Sequence, residues 1–175
     1  MVSYKQADTL VELEQILDLQ QRNLPKNISQ EESTKEGFVT VEHTMDMLKA
    51  MNGVCGHIIA VENNKVVGYA LCMHPKFAED IEVLRPMFHE IETVLDDNIH
   101  YMAMGQICVA KSHRGQGIFR KLYHTMKAKL PQGFDAIVTE VDGKNKRSLA
   151  AHTAIGFKPL TIYLSDGKEW HVIIL

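Results

Sequence analysis

Ile107-Cys108-Val109-Ala110-Lys111-Ser112-His113-Arg114-Gly115-Gln116-Gly117-Ile118-Phe119-Arg120-Lys121-Leu122 carries a strand pattern through a basic, glycine-punctuated loop directly into a helical pattern. Gly115 and Gly117 let the backbone turn tightly and approach a ligand with no Cβ in the way, while the amides at the helix start converge on one point. Such a loop suits an anion, above all a phosphate, and Lys111 and Arg114 add positive charge beside it. Two common phosphate loops are excluded by the residues themselves. Arg120 stands where the third glycine of Gly-x-Gly-x-x-Gly belongs, and the Gly-Lys-Ser/Thr of a Walker loop is missing.

Working outward, strand patterns at Tyr101 to Val109 and Phe134 to Val141 are each followed by a helical one, Ile118 to Leu130 and Asn145 to Ile155. That alternation predicts a mixed α/β fold. Upstream, His57 to Val61 and Lys65 to Met73 flank Glu62-Asn63-Asn64, whose asparagines tolerate positive φ, so a hairpin is expected. Downstream, Phe157 to Leu164 and Trp170 to Leu175 flank the turn Ser165-Asp166-Gly167-Lys168 as a terminal hairpin. Thr9-Leu10-Val11-Glu12 has capping-box spacing and opens a helix over Leu10 to Gln21; a shorter helix is expected around Thr44 to Met51. Pro86 interrupts the helical pattern between Pro75 and Asp97, giving two short helices or one kinked helix. The polar stretch Asn23 to Phe38 reads as a surface loop and a candidate substrate lid.

A chain of 175 residues, 45% hydrophobic and 23% charged, is expected to fold as one domain over residues 1–175 with a sizeable core. Its net charge of −3 gives no general attraction to nucleic acid. Cys55, Cys72 and Cys108 are odd in number, lie in apolar surroundings and form no C-x-x-C, as reduced thiols of a cytoplasmic protein would. No apolar run approaches the roughly 20 residues of a membrane span, so a soluble protein is expected. His89-Glu90-Ile91-Glu92-Thr93 begins like a zinc metalloprotease helix but has Thr93 where the second histidine must be, and no catalytic metal is expected.

Arg114-Gly115-Gln116-Gly117-Ile118-Phe119 resembles the acyl-CoA signature of the GNAT N-acetyltransferase superfamily, Arg/Gln-x-x-Gly-x-Gly/Ala, with Phe119 in place of the small residue. Asn145-Lys146-Arg147-Ser148-Leu149-Ala150-Ala151-His152-Thr153-Ala154-Ile155-Gly156-Phe157 is similar to that family's Asn-x-x-Ala-x-x-x-Tyr-x-x-x-Gly-Phe helix, with Ser148 for Ala and His152 for Tyr. The resemblance implies a single α/β domain with a mixed, mostly antiparallel twisted sheet, flanked by helices and splayed in a V at the cofactor strand. It also implies acetyl-CoA as cofactor. Cys108 and Val109 would face the pantetheine arm, Arg114, Gly115, Gln116, Gly117, Ile118 and Phe119 would wrap the pyrophosphate, and Asn145 would contact the cofactor while capping its helix. The patch Lys111, His113, Arg114, Arg120, Lys121 and Lys127 is either a solvated helix face or a contact for the 3′-phosphate.

The implied activity is transfer of an acetyl group to a primary amine of a small molecule or peptide by direct attack. Glu140 is the candidate base because it interrupts the apolar strand Ala136 to Val141, where burial would raise its pKa. It precedes His152 by twelve residues, the spacing of a Glu and Tyr pair proposed for catalysis in the similar bacterial ribosomal-protein alanine acetyltransferases. His152 takes the place of the general-acid tyrosine. An unshifted imidazole, with a pKa of about 6.5, would be protonated in only about a tenth of molecules at pH 7.5. A catalytic His152 is therefore either raised in pKa, for example by Glu140, or orients the thiol or a water. Cys108 reads as structural or cofactor-facing, since no partner activates it as a nucleophile. The alternative reading, motivated by Phe119 and His152, is an acyl-CoA-binding sensor or regulatory domain without turnover; an oxidoreductase using NAD is a third. The protein is expected to be a monomer or a homodimer; Trp170 and the last strand suit a dimer contact and a terminal core strand equally.

Overall fold

The computed structural model describes residues 1–29, 31 and 38–175, so residues 30 and 32–37 of the stretch expected to form a lid lie outside the described residues. Among the described residues there are seven strands: β1 (Ser3–Gln6), β2 (Ile58–Glu62), β3 (Lys65–Met73), β4 (Tyr101–Val109), β5 (Ala136–Asp142), β6 (Lys158–Ser165) and β7 (Lys168–Ile174). They form one sheet in the order β1-β2-β3-β4-β5-β7-β6. Every neighbouring pair is antiparallel except β4 and β5. The α-helices that lie wholly among the described residues are α1 (Leu10–Gln21), α2 (Met45–Val54), α3 (Arg85–Val94), α4 (Ile118–Ala128) and α5 (Lys146–Thr153).

Local chemistry sets several boundaries. Thr9 accepts from the Glu12 amide and the Glu12 carboxylate accepts from the Thr9 amide, closing the expected capping box at α1. Asn63 and Asn64 take φ of 50° and 61°, turning β2 into β3. Pro86 opens α3 in its first turn instead of kinking a longer helix, because a missing amide costs nothing there. Short 3-10 turns at Pro75–Phe77 and Glu82–Leu84 occupy the preceding segment. β1 was not expected from the sequence; pairing with β2, from Ser3 against Val61 to Gln6 against Ile58, extends four residues that lack a strand pattern of their own.

Strand alternation splits the core in two. Ile59, Tyr69, Leu71, Met73 and Val138 pack with α1, α2 and α3 residues such as Ile16, Leu48 and Ile91. Ile58, Ala70, Cys72, Ile137 and Val141 pack on the other face with Ile118, Leu122 and Met126 of α4. No helix among the described residues is long and apolar enough to cross a membrane.

The feature that shapes the site is the short parallel ladder. β4 and β5 pair only through Tyr101–Ala136, Met102–Ile137 and Ala103–Val138, and then part. A bulge on β4 lies where they part: Leu71 pairs with Gln106 and Cys72 with Met104, leaving Gly105 as the extra residue. Thr139 Oγ1 donates to the Met104 carbonyl at 2.9 Å, giving that oxygen the partner that the ladder no longer supplies. Thr139→Val keeps the shape and removes this bond, and is expected to lower stability by about 1–2 kcal/mol, a fall of roughly 3–6 °C in Tm. Thr125→Val, which removes a bond to the Lys121 carbonyl on an exposed helix face, should stay within about 0.5 kcal/mol in the same thermal melts.

Candidate active site at the strand fork

Beyond the fork, β4 is paired on one side only among the described residues. Ala110 N donates to Val67 O at 2.8 Å, continuing the β3 ladder. In an antiparallel pair, alternate residues face away from the partner, so Ile107 and Val109 direct their N–H and C=O groups into the gap beside β5. A cavity of about 330 Å³ opens there. Ile107, Cys108 and Val109 line one wall, the 113–119 loop and helix start a second, and Asn145, Ser148 and Ala151 of the α5 region a third.

The loop behaves as its glycines require. Gly115 and Gly117 take φ of 76° and 77°, and a Cβ built on either would meet no atom within 4 Å. Open space thus faces the loop. Gly117 begins α4 with no side-chain cap, so the first-turn amides keep their donor capacity at the positive end of the helix. Arg114 Nε donates to the Val109 carbonyl at 3.1 Å, and its Nη2 donates to Asn23 Oδ1 at 2.6 Å, tying loop, strand end and α1 exit together. Arg120 and Arg147 also line the cavity. Uncapped amides, guanidinium groups and open space fit a phosphate-bearing ligand, and the free edge of β4 fits a chain of amides.

The cofactor residues expected from the sequence gather on this cavity: Cys108, Val109, Arg114, Gly115, Gly117, Ile118, Phe119 and Asn145 line it. Gln116 turns aside, its side-chain amide donating to the Ser112 carbonyl. Asn145 caps α5, its Oδ1 accepting from the Ser148 amide at 3.1 Å. Burial pushes the Cys108 thiol up to about 12, which keeps it protonated and unsuited to nucleophilic attack.

The two residues expected to act as acid and base are not brought together. Glu140 shares its face of β5 with Val138, whereas His152 packs among Phe119, Tyr123 and Phe157 on the other side of the sheet. His152 Nδ1 lies 2.7 Å from the Ser148 carbonyl, which can only accept, so Nδ1 carries the hydrogen and Nε2 accepts from Tyr123 Oη at 2.7 Å. The ring is 1% exposed, and burial holds its pKa down at about 4. The shift runs opposite to the rise that an acid role needs, because desolvation disfavours the charged form and no carboxylate among the described residues faces the imidazole.

Glu140 is half-buried, its Oε2 accepting from the Tyr163 hydroxyl of β6. Desolvation pushes its pKa up to about 7, with the Tyr163 bond pulling the other way. It borders a small cavity of about 30 Å³ with Thr40, Val41, Met104 and Trp170. Phe38 and Val39 line the large cavity and Thr40 and Val41 the small one, so a single segment separates them. That segment is held from beneath. Gln106 Nε2 donates to the Val41 carbonyl at 2.7 Å, and Gln106 Oε1 accepts from Gln20 and Tyr69. Gln20 in turn bonds the His43 amide and ring.

Sequence reasoning missed Tyr163, Tyr123, Asn23 and Arg147. Tyr163 and Tyr123 find their partners 23 and 29 residues away, and no local pattern signals such a bond. In the sequence Ser148 stands out only as a departure from the motif.

The chain matches the acetyltransferase (GNAT) family over residues 13–157. No curated protein matches it by sequence. Its fold is similar to the ribosomal-protein-S18-alanine N-acetyltransferase from Escherichia coli, with a TM-score of 0.65 and 15% identity over 100% of this chain and 93% of that one. It is also similar to Arabidopsis thaliana NAA60 in complex with acetyl-CoA (TM-score 0.70, 11% identity, 100% and 99% covered) and to Ard1 from Thermoplasma volcanium (0.67, 11%, 99% and 96%). At these identities the likeness is one of fold. The family match spans most of the sequence and includes both the glycine loop and the α5 helix that build the cavity: the chain belongs to the GNAT family of acetyltransferases.

Proposed function

We propose that this chain transfers an acetyl group from acetyl-CoA to a primary amine of a small molecule or peptide by direct attack, with Glu140 as the base. The observation that carries the reading is the fork itself, with a glycine loop and an open strand edge on one side and the half-buried Glu140 carboxylate, pushed up by desolvation, on the other. Acetyl-CoA, when bound, supplies an acetyl group activated as a thioester. The loop amides and Arg114, Arg120 and Arg147 meet phosphate charge. The Ile107 backbone groups pair with the amides of the pantetheine arm, and the Val109 N–H, whose own carbonyl is held by Arg114, is placed to donate to the thioester oxygen as negative charge develops there. Glu140 takes a proton from the incoming ammonium so that a neutral amine attacks; a pKa near the working pH serves that exchange. The family match and the acetyl-CoA complex of the similar Arabidopsis protein support this assignment.

A second reading, an acyl-CoA-binding domain without turnover, is favoured by one observation: both His152 ring nitrogens are engaged away from the cavity. Calorimetric titration with acetyl-CoA and with NAD, followed by thiol release over a panel of amines, separates the readings. Saturable binding of acetyl-CoA alone, with amine-dependent thiol release, is expected. Binding without release from any amine would replace the transferase reading with the second.

Glu140→Gln should bind acetyl-CoA normally and lose at least about 100-fold in kcat. In the parent enzyme kcat/KM should rise with pH through about 7, and in the variant that limb should vanish. Gly117→Val forces a branched side chain to a φ of 77° and should abolish measurable acetyl-CoA binding.

Stability carries the same signature with a definite sign. The Glu140 carboxyl titrates near 7 in the fold against 4.5 when unfolded. The native state thus keeps a proton that the unfolded chain has lost, and this contribution is intact below pH 4.5 and gone once the pH passes 7. Glu140→Gln should therefore match the parent in urea unfolding at pH 4.5 and exceed it by about 3 kcal/mol at pH 8.

A further inference from the structure

The three departures from the family pattern, Phe119, Ser148 and His152, converge in space. The Phe119 and His152 rings meet edge to face at 5.0 Å, and Ser148 Oγ lies 3.3 Å from His152 Nδ1. Ser148 sits one turn before His152 on the same face of α5. Ser148 is half-buried and lines the large cavity, whereas His152 lies beneath it, closed off.

We propose that Ser148, in place of His152, is the hydrogen-bond donor to the coenzyme A sulfur, and that His152 is the positioning residue that aims its hydroxyl. The inference rests on coenzyme A occupying the large cavity. Its core is the hydrogen count at the imidazole. The Ser148 carbonyl, 2.7 Å from Nδ1, fixes the hydrogen on that nitrogen, and Nδ1 then has no lone pair for the serine to donate to. At the 3.3 Å contact Oγ is therefore the acceptor, sharing the Nδ1 hydrogen with its own carbonyl. The serine's hydrogen must point away from the ring, and the cavity is the space that Ser148 borders.

A helical serine commonly turns its hydroxyl back to the carbonyl of the preceding turn. Here the bond made by Oγ among the described residues is the one to His152. The imidazole is itself held by the Tyr123 hydroxyl at Nε2 and by the Phe119 edge. A hydroxyl so aimed stabilises negative charge on sulfur by donating a hydrogen bond, and Ser148 keeps its proton. This is the role a preorganised donor plays at a developing anion.

The experiment reads the ionisation of bound coenzyme A. The thiolate absorbance of the complex is followed against pH, and the affinities of coenzyme A and desulfo-coenzyme A are measured by calorimetry. Wild-type protein should bind both ligands and ionise the bound thiol at lower pH than free coenzyme A. Ser148→Ala should raise that ionisation by about one pH unit and weaken coenzyme A about tenfold where the thiol is ionised, with desulfo-coenzyme A unaffected. Ser148→Thr, which keeps the hydroxyl, should restore both values. Tyr123→Phe should move the ionisation part of the way by releasing the imidazole. An unchanged bound-thiol ionisation in Ser148→Ala overturns the inference and leaves the proposed function standing. Equal loss of both ligands also overturns it, since Ser148 would then only shape the cavity. Failure of wild-type protein to bind either ligand overturns the inference together with the reading on which it rests.

Discussion

Backbone hydrogen bonding that the sheet withholds is the constraint on which the site depends. A parallel neighbour needs a crossover, and α4 supplies it between β4 and β5. After three paired positions the strands part, and each peptide group beyond must find water, a side chain or a ligand. The chain answers this in graded fashion. Thr139 satisfies the Met104 carbonyl at the root of the fork, and Arg114 satisfies the Val109 carbonyl at its mouth. Between them the edge is left for whatever enters. Gly105 makes this possible, because an extra residue on β4 bends the strand away while its β3 pairing resumes at Gln106.

The wall between the two cavities shows how a polar core secures a loop. Gln106, immediately after the bulge, carries the Val41 carbonyl on its amide and two donors on its oxygen. Buried amides of this kind add little net stability when satisfied and penalise every alternative arrangement that leaves them unpaired. The result is a segment whose position relative to β4 is specified, although its own residues have no regular secondary structure. His43, at the end of this network, has an Nε2 with no partner among the described residues, and burial holds its pKa down at about 4.

Much of the fold was legible because its determinants are local. The Thr9 to Glu12 box, the Asn63-Asn64 turn, the glycines at 115 and 117 and the strand from Tyr101 to Val109 each act within a few residues, and a sequence displays them directly. The glycine loop and the strand end that line the large cavity were readable for the same reason. The surroundings of the two candidate titratable residues were not. Glu140 was found by its oddity in an apolar strand, but its partner Tyr163 reaches it across β7, and nothing in the alternating run Lys158 to Ser165 marks that residue. The spacing of Glu140 and His152 suggested a pair, yet strand and helix send them to opposite faces of the sheet. Spacing along a chain becomes distance only within one element.

The contact between Phe119 and His152 also bears on how such a site can change. Each ring is a wall of the other's pocket, and Tyr123 and Phe157 close the remaining sides. Restoring a small residue at 119 alone would open a void against the imidazole, and enlarging 152 to a phenol alone would drive it into a filled space. Either single step passes through a less stable protein. Residues in contact do not change independently, so the size of one ring sets what the other position can hold.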